Sequence, residues 1–233
     1  MKTRTATKDD IPAVTDVILA AINNDRLWAK FVPSKTTQDD AYVQEIVKLL
    51  LEHADSANKD WEVQVVDLAS SKSSKDKGDA SEIVAVAVWD VSSMADTKET
   101  KPPTVHTDLS DSRTQAVVSL LKQAKTDCFK DYPQHRYLQL LATHPRHQNQ
   151  GYATDLVKAG MAEAKKTGGV LTAVAGPLGY ILFSGFGFHD IGSVTLPPSS
   201  ATDTQAVKAM VLVVPKEERR RSFVDSLIDY VSN

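Results

Sequence analysis

A chain of 233 residues, 42% hydrophobic and 24% charged, has the composition of a soluble globular protein and core enough for one large domain or two small ones. A formal net charge of −3 gives no ground for a polyanionic partner such as nucleic acid. No apolar run is long enough to span a membrane, the start MKTRTATKDD lacks the core of a signal peptide, and Cys128 is the only cysteine. The expectation is a cytoplasmic protein, with a nuclear location left open, no membrane association and no internal disulfide.

Residues 2–6 read as a short strand leading into Thr7-Lys8-Asp9-Asp10, which has the spacing of a capping box. Ile11, Val14, Ile18 and Ile22 then recur on one helical face. Leu27 to Pro33 carries Trp28 and Phe31 ahead of a proline and reads as a loop or short turn. A second helix is expected over Thr37 to Ala54, with Tyr42, Ile46, Leu49 and Leu50 inward. Trp61 to Leu68 alternates as a strand does. Ile83 to Trp89 is almost continuously apolar, the mark of a strand covered on both faces. The intervening 70–81 is rich in Ser, Lys and Asp, and 92–108 is a second polar stretch. Both read as insert loops with too little apolar surface to offset their ordering entropy. Ser110 is placed to cap a helix reaching Cys128, with Val117, Leu120, Leu121 and Ala124 buried.

Tyr137 to Thr143 (YLQLLAT) reads as the next strand, and Pro145, with no N–H to donate, ends its pairing. From Gly151 onward, Leu156, Ala159, Gly160 and Ala164 mark an amphipathic helix, for which Gly168-Gly169 is the C-terminal cap. Val170 to Ala175 is a second apolar strand, followed by Gly179 to Phe188 (GYILFSGFGF). Val194 to Leu196 and Ala209 to Val214 read as two late strands. Pro215 and Glu217-Glu218 open a last helix near 215–232, with Phe223, Leu227, Ile228 and Val231 as its apolar stripe. No repeat and no linker interrupts the chain, so it reads as a single α/β domain over 1–233 with a mixed sheet of about seven strands.

The stretch Gln148-Asn149-Gln150-Gly151-Tyr152-Ala153 lies between an apolar strand and a helix start, a geometry that binds phosphate. Orphan backbone N–H groups and the positive end of the helix dipole converge there, and Gly151 permits close approach. No G-x-x-x-x-G-K-[ST] occurs, and Gly185 and Gly187 lack a third glycine at dinucleotide spacing. The pattern Q-x-x-G-x-A after T-x-P, from Thr143 to Ala153, resembles the coenzyme A pyrophosphate loop of the GNAT superfamily of N-acetyltransferases. The strand Val170–Ala175 and the run Gly179–Phe188 resemble that family's closing strand, helix and Gly-Phe signature, so the likeness covers roughly 137–188.

The resemblance implies a mostly antiparallel sheet splayed at its centre, and acetyl transfer from acetyl-CoA to an amine without a covalent enzyme intermediate. The acceptor is a small-molecule or protein amine, and whether the protein is a monomer or a homodimer is left open. Leu141, Ala142 and Thr143 would face the pantetheine arm. The N–H groups of Gln148, Asn149, Gln150, Gly151, Tyr152, Ala153 and Thr154 would hold the pyrophosphate, with Arg146 either adding a charged contact or meeting solvent. Trp28, Phe31 and Trp89 are candidates for the acceptor side, and Trp28 and Phe31 read equally well as core.

Many members carry a tyrosine five residues before the terminal Phe, placed to protonate the CoA thiolate. Phe183 stands there in this chain, with no proton to give, and is retained as a coenzyme contact. Tyr180, one turn earlier, is the replacement candidate for the acid. His144 and Asp90 are the candidates for the base, each weighed against the reading that polar residues at strand ends only meet solvent. Pro145 excludes a helix interior between His144 and His147, so their spacing implies no shared face, and no metal site is expected. The competing reading is a CoA-binding module of the same fold that catalyses little or nothing.

Overall fold

Asp10 sets the first helix. Its carboxylate accepts from the Thr7 backbone N–H at 2.7 Å and the Thr7 hydroxyl at 2.9 Å, and Arg4 grips it with two nitrogens at 2.6 and 2.8 Å. The guanidinium holds the Asp10 carboxyl down at about 2. Arg4 Nε also reaches Asp67 at 2.9 Å, so one ion network joins β1 (Lys2–Thr5) to β2 (Trp61–Leu68) and launches α1 (Ile11–Asn24). The computed structural model describes residues 2–30, 37–54, 60–68, 82–92, 112–197 and 205–216.

The remaining strands are β3 (Glu82–Asp90), β4 (His135–Thr143), β5 (Gly169–Ala175), β6 (His189–Thr195) and β7 (Ala206–Val214). Among the described residues, these seven strands form one sheet in the order β1-β2-β3-β4-β5-β7-β6. Neighbours run antiparallel except β4 and β5, which are parallel. β4 follows β3 through Thr143 but pairs with β5 only over His135–Leu138. Opposite β3 the register slips: Val88 faces Leu140 while Trp89 faces Leu138, which leaves Gln139 as a bulge. Beyond that bulge β4 and β5 part, and the sheet is splayed at its centre.

The bulge also inverts the alternation of side chains along β4. Leu138 and Leu141 join one core with Trp89, Leu156, Val157 and Phe183, beneath α4 (Tyr152–Thr167) and α5 (Pro177–Gly185). Leu140 and Ala142 join the opposite core, formed with α1 and α2 (Thr37–Ala54). Tyr137, on that second face, packs with Phe129, which follows α3 (Ser112–Cys128). α1 lies against β3 and β4, and α3 against β5 and β6.

Three expectations need correction. In α2 the buried positions are Val47 and Leu51, supported by Val43 and Leu50, while Ile46 and Leu49 are only half-buried; helix packing selects a stripe rotated from the one first read. The side chain of Tyr42 falls outside the described residues. β6 starts at His189 instead of Val194, because its exposed edge position tolerates polar residues that carry no apolar signal. His144 and His147 do come together, their rings 5.8 Å apart edge to face. Pro145 opens a one-turn 3-10 helix, Pro145–His147, where its missing N–H costs nothing and residues three apart eclipse. The insert loop 70–81, all of 92–108 beyond Ser92, the Ser110 cap and the helix near 215–232 beyond Lys216 lie outside the described residues.

Candidate active site

After the 3-10 turn the chain needs two left-handed residues to enter α4. Asn149, at φ 62, and Gly151, at φ 89, supply them. The Gly151 carbonyl accepts the first helical hydrogen bond, from the Asp155 N–H at 3.0 Å. The N–H groups of Gly151, Tyr152, Ala153 and Thr154 therefore have no intrahelical acceptor. Gln148 to Gly151 are exposed, and a Cβ on Gly151 would meet nothing within 4 Å. An open, donor-lined helix start of this kind suits an anionic group. Three contacts brace it: Gln148 Nε2 donates to the Thr143 carbonyl at 3.3 Å, the Tyr152 hydroxyl to Gln150 Oε1 at 3.0 Å, and His147 Nε2 lies 3.1 Å from Glu82 Oε1. Arg146 is exposed on the adjoining turn.

The gap beside β4 runs from this loop to the bulge at Gln139. The His144 N–H donates to the Val84 carbonyl at 2.9 Å. By antiparallel alternation the backbone of Ala142 then faces β3, while that of Leu141 and Thr143 faces the gap. Gln139 is exposed although it stands between buried residues 135–138 and buried Ala142. Sequence reading missed it, and the polar break in YLQLLAT was the available signal.

The candidate side chains separate. Phe183 is 4% exposed, shares a core with Leu141, and its ring lies 5.2 Å from Phe188. Tyr180 does not share that environment: it is 38% exposed and lies within electrostatic reach of Lys208 on β7. Three residues advance about 300°, so the two stand about 60° apart around α5, and that offset leaves Tyr180 at the edge of the face that buries Phe183. His144 stands at the loop end of β4, its Nδ1 accepting from the Arg146 N–H at 3.3 Å and its Nε2 4.0 Å from Asp16. The bulge is five residues away, roughly 16 Å along a strand. Asp90 is buried and committed, accepting from Ser92 N–H and hydroxyl at 3.0 and 2.6 Å and from Lys125 Nζ. Trp89 has no exposed surface and packs beneath α4, which removes it from any acceptor surface. Trp28 is half-buried; Asp25 Oδ1 accepts from the Leu27 and Trp28 N–H groups at 2.8 and 3.0 Å and seats both against Gly176 where β5 ends. Phe31 lies outside the described residues.

Against known proteins, the acetyltransferase (GNAT) family model matches residues 76–177, which span the splayed strands and the loop. No curated protein matches this chain's sequence. The histone acetyltransferase HPA2 and related acetyltransferase of Corynebacterium glutamicum superposes at TM-score 0.53 with 19% identity, over 94% of this chain and 98% of that one. A yellow fever mosquito protein assigned as arylalkylamine N-acetyltransferase 7 superposes at TM-score 0.62 with 15% identity, over 91% and 86%. The Salmonella typhimurium protein yncA, assigned as an acetyltransferase and solved with its cofactor acetyl-CoA, superposes at TM-score 0.51 with 17% identity, over 94% and 96%.

This chain's seven-stranded, mostly antiparallel sheet with flanking helices is thus the fold of these structural neighbours. Among its described residues, no helix is long and apolar enough to cross a membrane. Among those same residues, no group of three or more His, Cys, Asp or Glu side chains could hold a metal ion.

Proposed function

We propose that this chain is an N-acetyltransferase that moves acetyl from acetyl-CoA to an amine by direct attack in a ternary complex. The observation that carries the reading is the open N-terminus of α4, with Gly151 at φ 89, placed directly at the end of the splayed strand β4. The loop N–H groups from Gln148 to Thr154 would hold the diphosphate, with Arg146 at the outer edge, and the backbone of Leu141 and Thr143 would line the arm. The bound coenzyme would supply an activated acyl group as a thioester.

The chain's own work is then limited. It orients the acceptor beside the gap, which turns a bimolecular encounter into a pre-oriented one. Backbone N–H groups along β4 stabilise the developing oxyanion. The acceptor would enter on the α1 face, where Trp28 stands beside Gly176. A proton acceptor close to the bulge fits better than His144, which stands at the diphosphate end.

Calorimetry with acetyl-CoA, CoA and ATP tests the coenzyme reading; a folded protein that binds neither CoA form ends it. Phe183, where many members have tyrosine, favours one second reading, a module that binds CoA without turnover. A thiol-release assay over a panel of amines separates them: turnover on any amine excludes the silent module.

A further inference from the structure

Asp90, in register with Tyr137 two residues before the bulge, carries a buried carboxylate that already holds an ammonium. Asp90 is 6% exposed, and Lys125 from α3 pairs with its Oδ2. The same ammonium lies 4.7 Å from the centroid of the Tyr137 ring, itself 4% exposed. A carboxylate beside an aromatic face is the arrangement by which proteins bind ligand ammonium groups. α3 rests on β5 and β6, Tyr137 is on β4 and Asp90 on β3, so Lys125 reaches across the central strand to make this contact. Its side chain is 27% exposed, so the pair is reachable from solvent.

Position gives the pair its meaning. Tyr137 stands two residues before Gln139, about 7 Å along a strand, on the face opposite α4. Gln139 is exposed where β4 and β5 part, and the α1 face, on which Tyr137 also lies, is the acceptor side in the reading above. A short diamine with one nitrogen at the gap would bring its second ammonium toward Asp90. There it would meet a carboxylate already neutralised and a like charge beside it.

We infer that Lys125 is a specificity-determining residue: it fills from within the subsite that would take the second ammonium of a diamine, and so restricts the acceptor to amines with one positive charge. The inference rests on the acetyltransferase reading for the word acceptor, but the subsite can be probed without turnover. Lys125→Ala removes the stem and the charge. Lys125→Gln keeps a donor to Asp90 and serves if the alanine variant does not fold, and Lys125→Arg keeps the charge as a control.

Two readouts are needed. In thermal unfolding with CoA present, 1,3-diaminopropane should raise the melting temperature of Lys125→Ala or Lys125→Gln by more than it raises that of wild type and Lys125→Arg. In turnover, the ratio of kcat/KM for 1,3-diaminopropane to that for 2-phenylethylamine should rise at least about tenfold in the neutral variants, a difference of about 1.4 kcal/mol. Folded neutral variants that gain neither amine-dependent stability nor a changed ratio overturn the inference. Amine-dependent stability with no turnover by any form on a wider panel of amines and peptides leaves the subsite standing and ends the acetyltransferase reading instead.

Discussion

A Cβ on Gly160 would lie 2.2 Å from Cζ2 of the Trp89 indole. The missing side chain lets α4 close onto the central strand with a whole tryptophan beneath it, fully buried in the same core as Leu156, Val157 and Phe183. The contact fixes how high the helix, and so its open N-terminus, sits above the gap. Gly160→Ala therefore overpacks the core, and its expected cost is about 1–3 kcal/mol in denaturant unfolding. CoA affinity should fall with it, because lifting α4 moves the Gly151–Thr154 donors. A Gly160→Ala protein of wild-type stability would show that the helix adjusts freely at this point.

Gly151 tests the anion loop by a different route. Space is open around its Cα, so the first penalty on a side chain comes from the φ of 89 and not from a clash. Gly151→Val should fold with reduced stability and bind CoA at least about tenfold more weakly, some 1.4 kcal/mol. Gly151→Asn tolerates the left-handed backbone, so its stability loss should be smaller. Its affinity should still drop, because the amide fills the space in front of the donors. Wild-type affinity in both variants would remove the loop from the coenzyme site.

Tyr180 is 38% exposed and stands outside the core that Phe183 shares with Leu141. Tyr180→Phe should then change turnover by less than about twofold, where loss of a positioned general acid costs about 10² to 10⁴. A loss in that larger range, with coenzyme affinity intact, would restore Tyr180 as the acid. Phe183→Tyr is the companion: a faster rate there means that the wild-type thiolate departs unassisted.

The Arg4–Asp10 pair ties part of the stability to the acid end of the pH range. Arg4 depresses the Asp10 carboxyl to about 2 from an ordinary 3.8. A depressed carboxyl contributes stability that is complete above its unfolded value and fades as pH falls from about 4 through about 2. Asp10→Asn should be less stable than wild type at neutral pH, by about 1–3 kcal/mol for the lost charged hydrogen bonds. The gap between the two proteins should narrow over that acid window. Parallel stability-versus-pH curves down to pH 2 would mean that the pair is already broken in the folded protein.

The sheet and the loop were legible in the sequence because each has a local cause. Period-two and continuous apolar runs mark β2 and β3, and a glycine ahead of an amphipathic run marks the start of α4. Thr7 and Asp10 cap a helix through contacts three residues apart. What tertiary structure decided lies beyond such ranges. The bulge at Gln139 depends on the β3 register, and it inverts which face receives Leu140 and Leu141. Trp89 looked available until Gly160, some 70 residues on, closed over it. Asp90 looked like a strand-end base until Lys125, 35 residues later, claimed its carboxylate. One turn of helix relates Tyr180 to Phe183 in sequence, but only the packing of α5 on β5 and β7 sets which of them turns inward. Local pattern selects the elements, because caps and periodicity act within a few residues. Side-chain roles at the gap are selected by packing between elements, because burial and ion pairing join residues far apart in the chain.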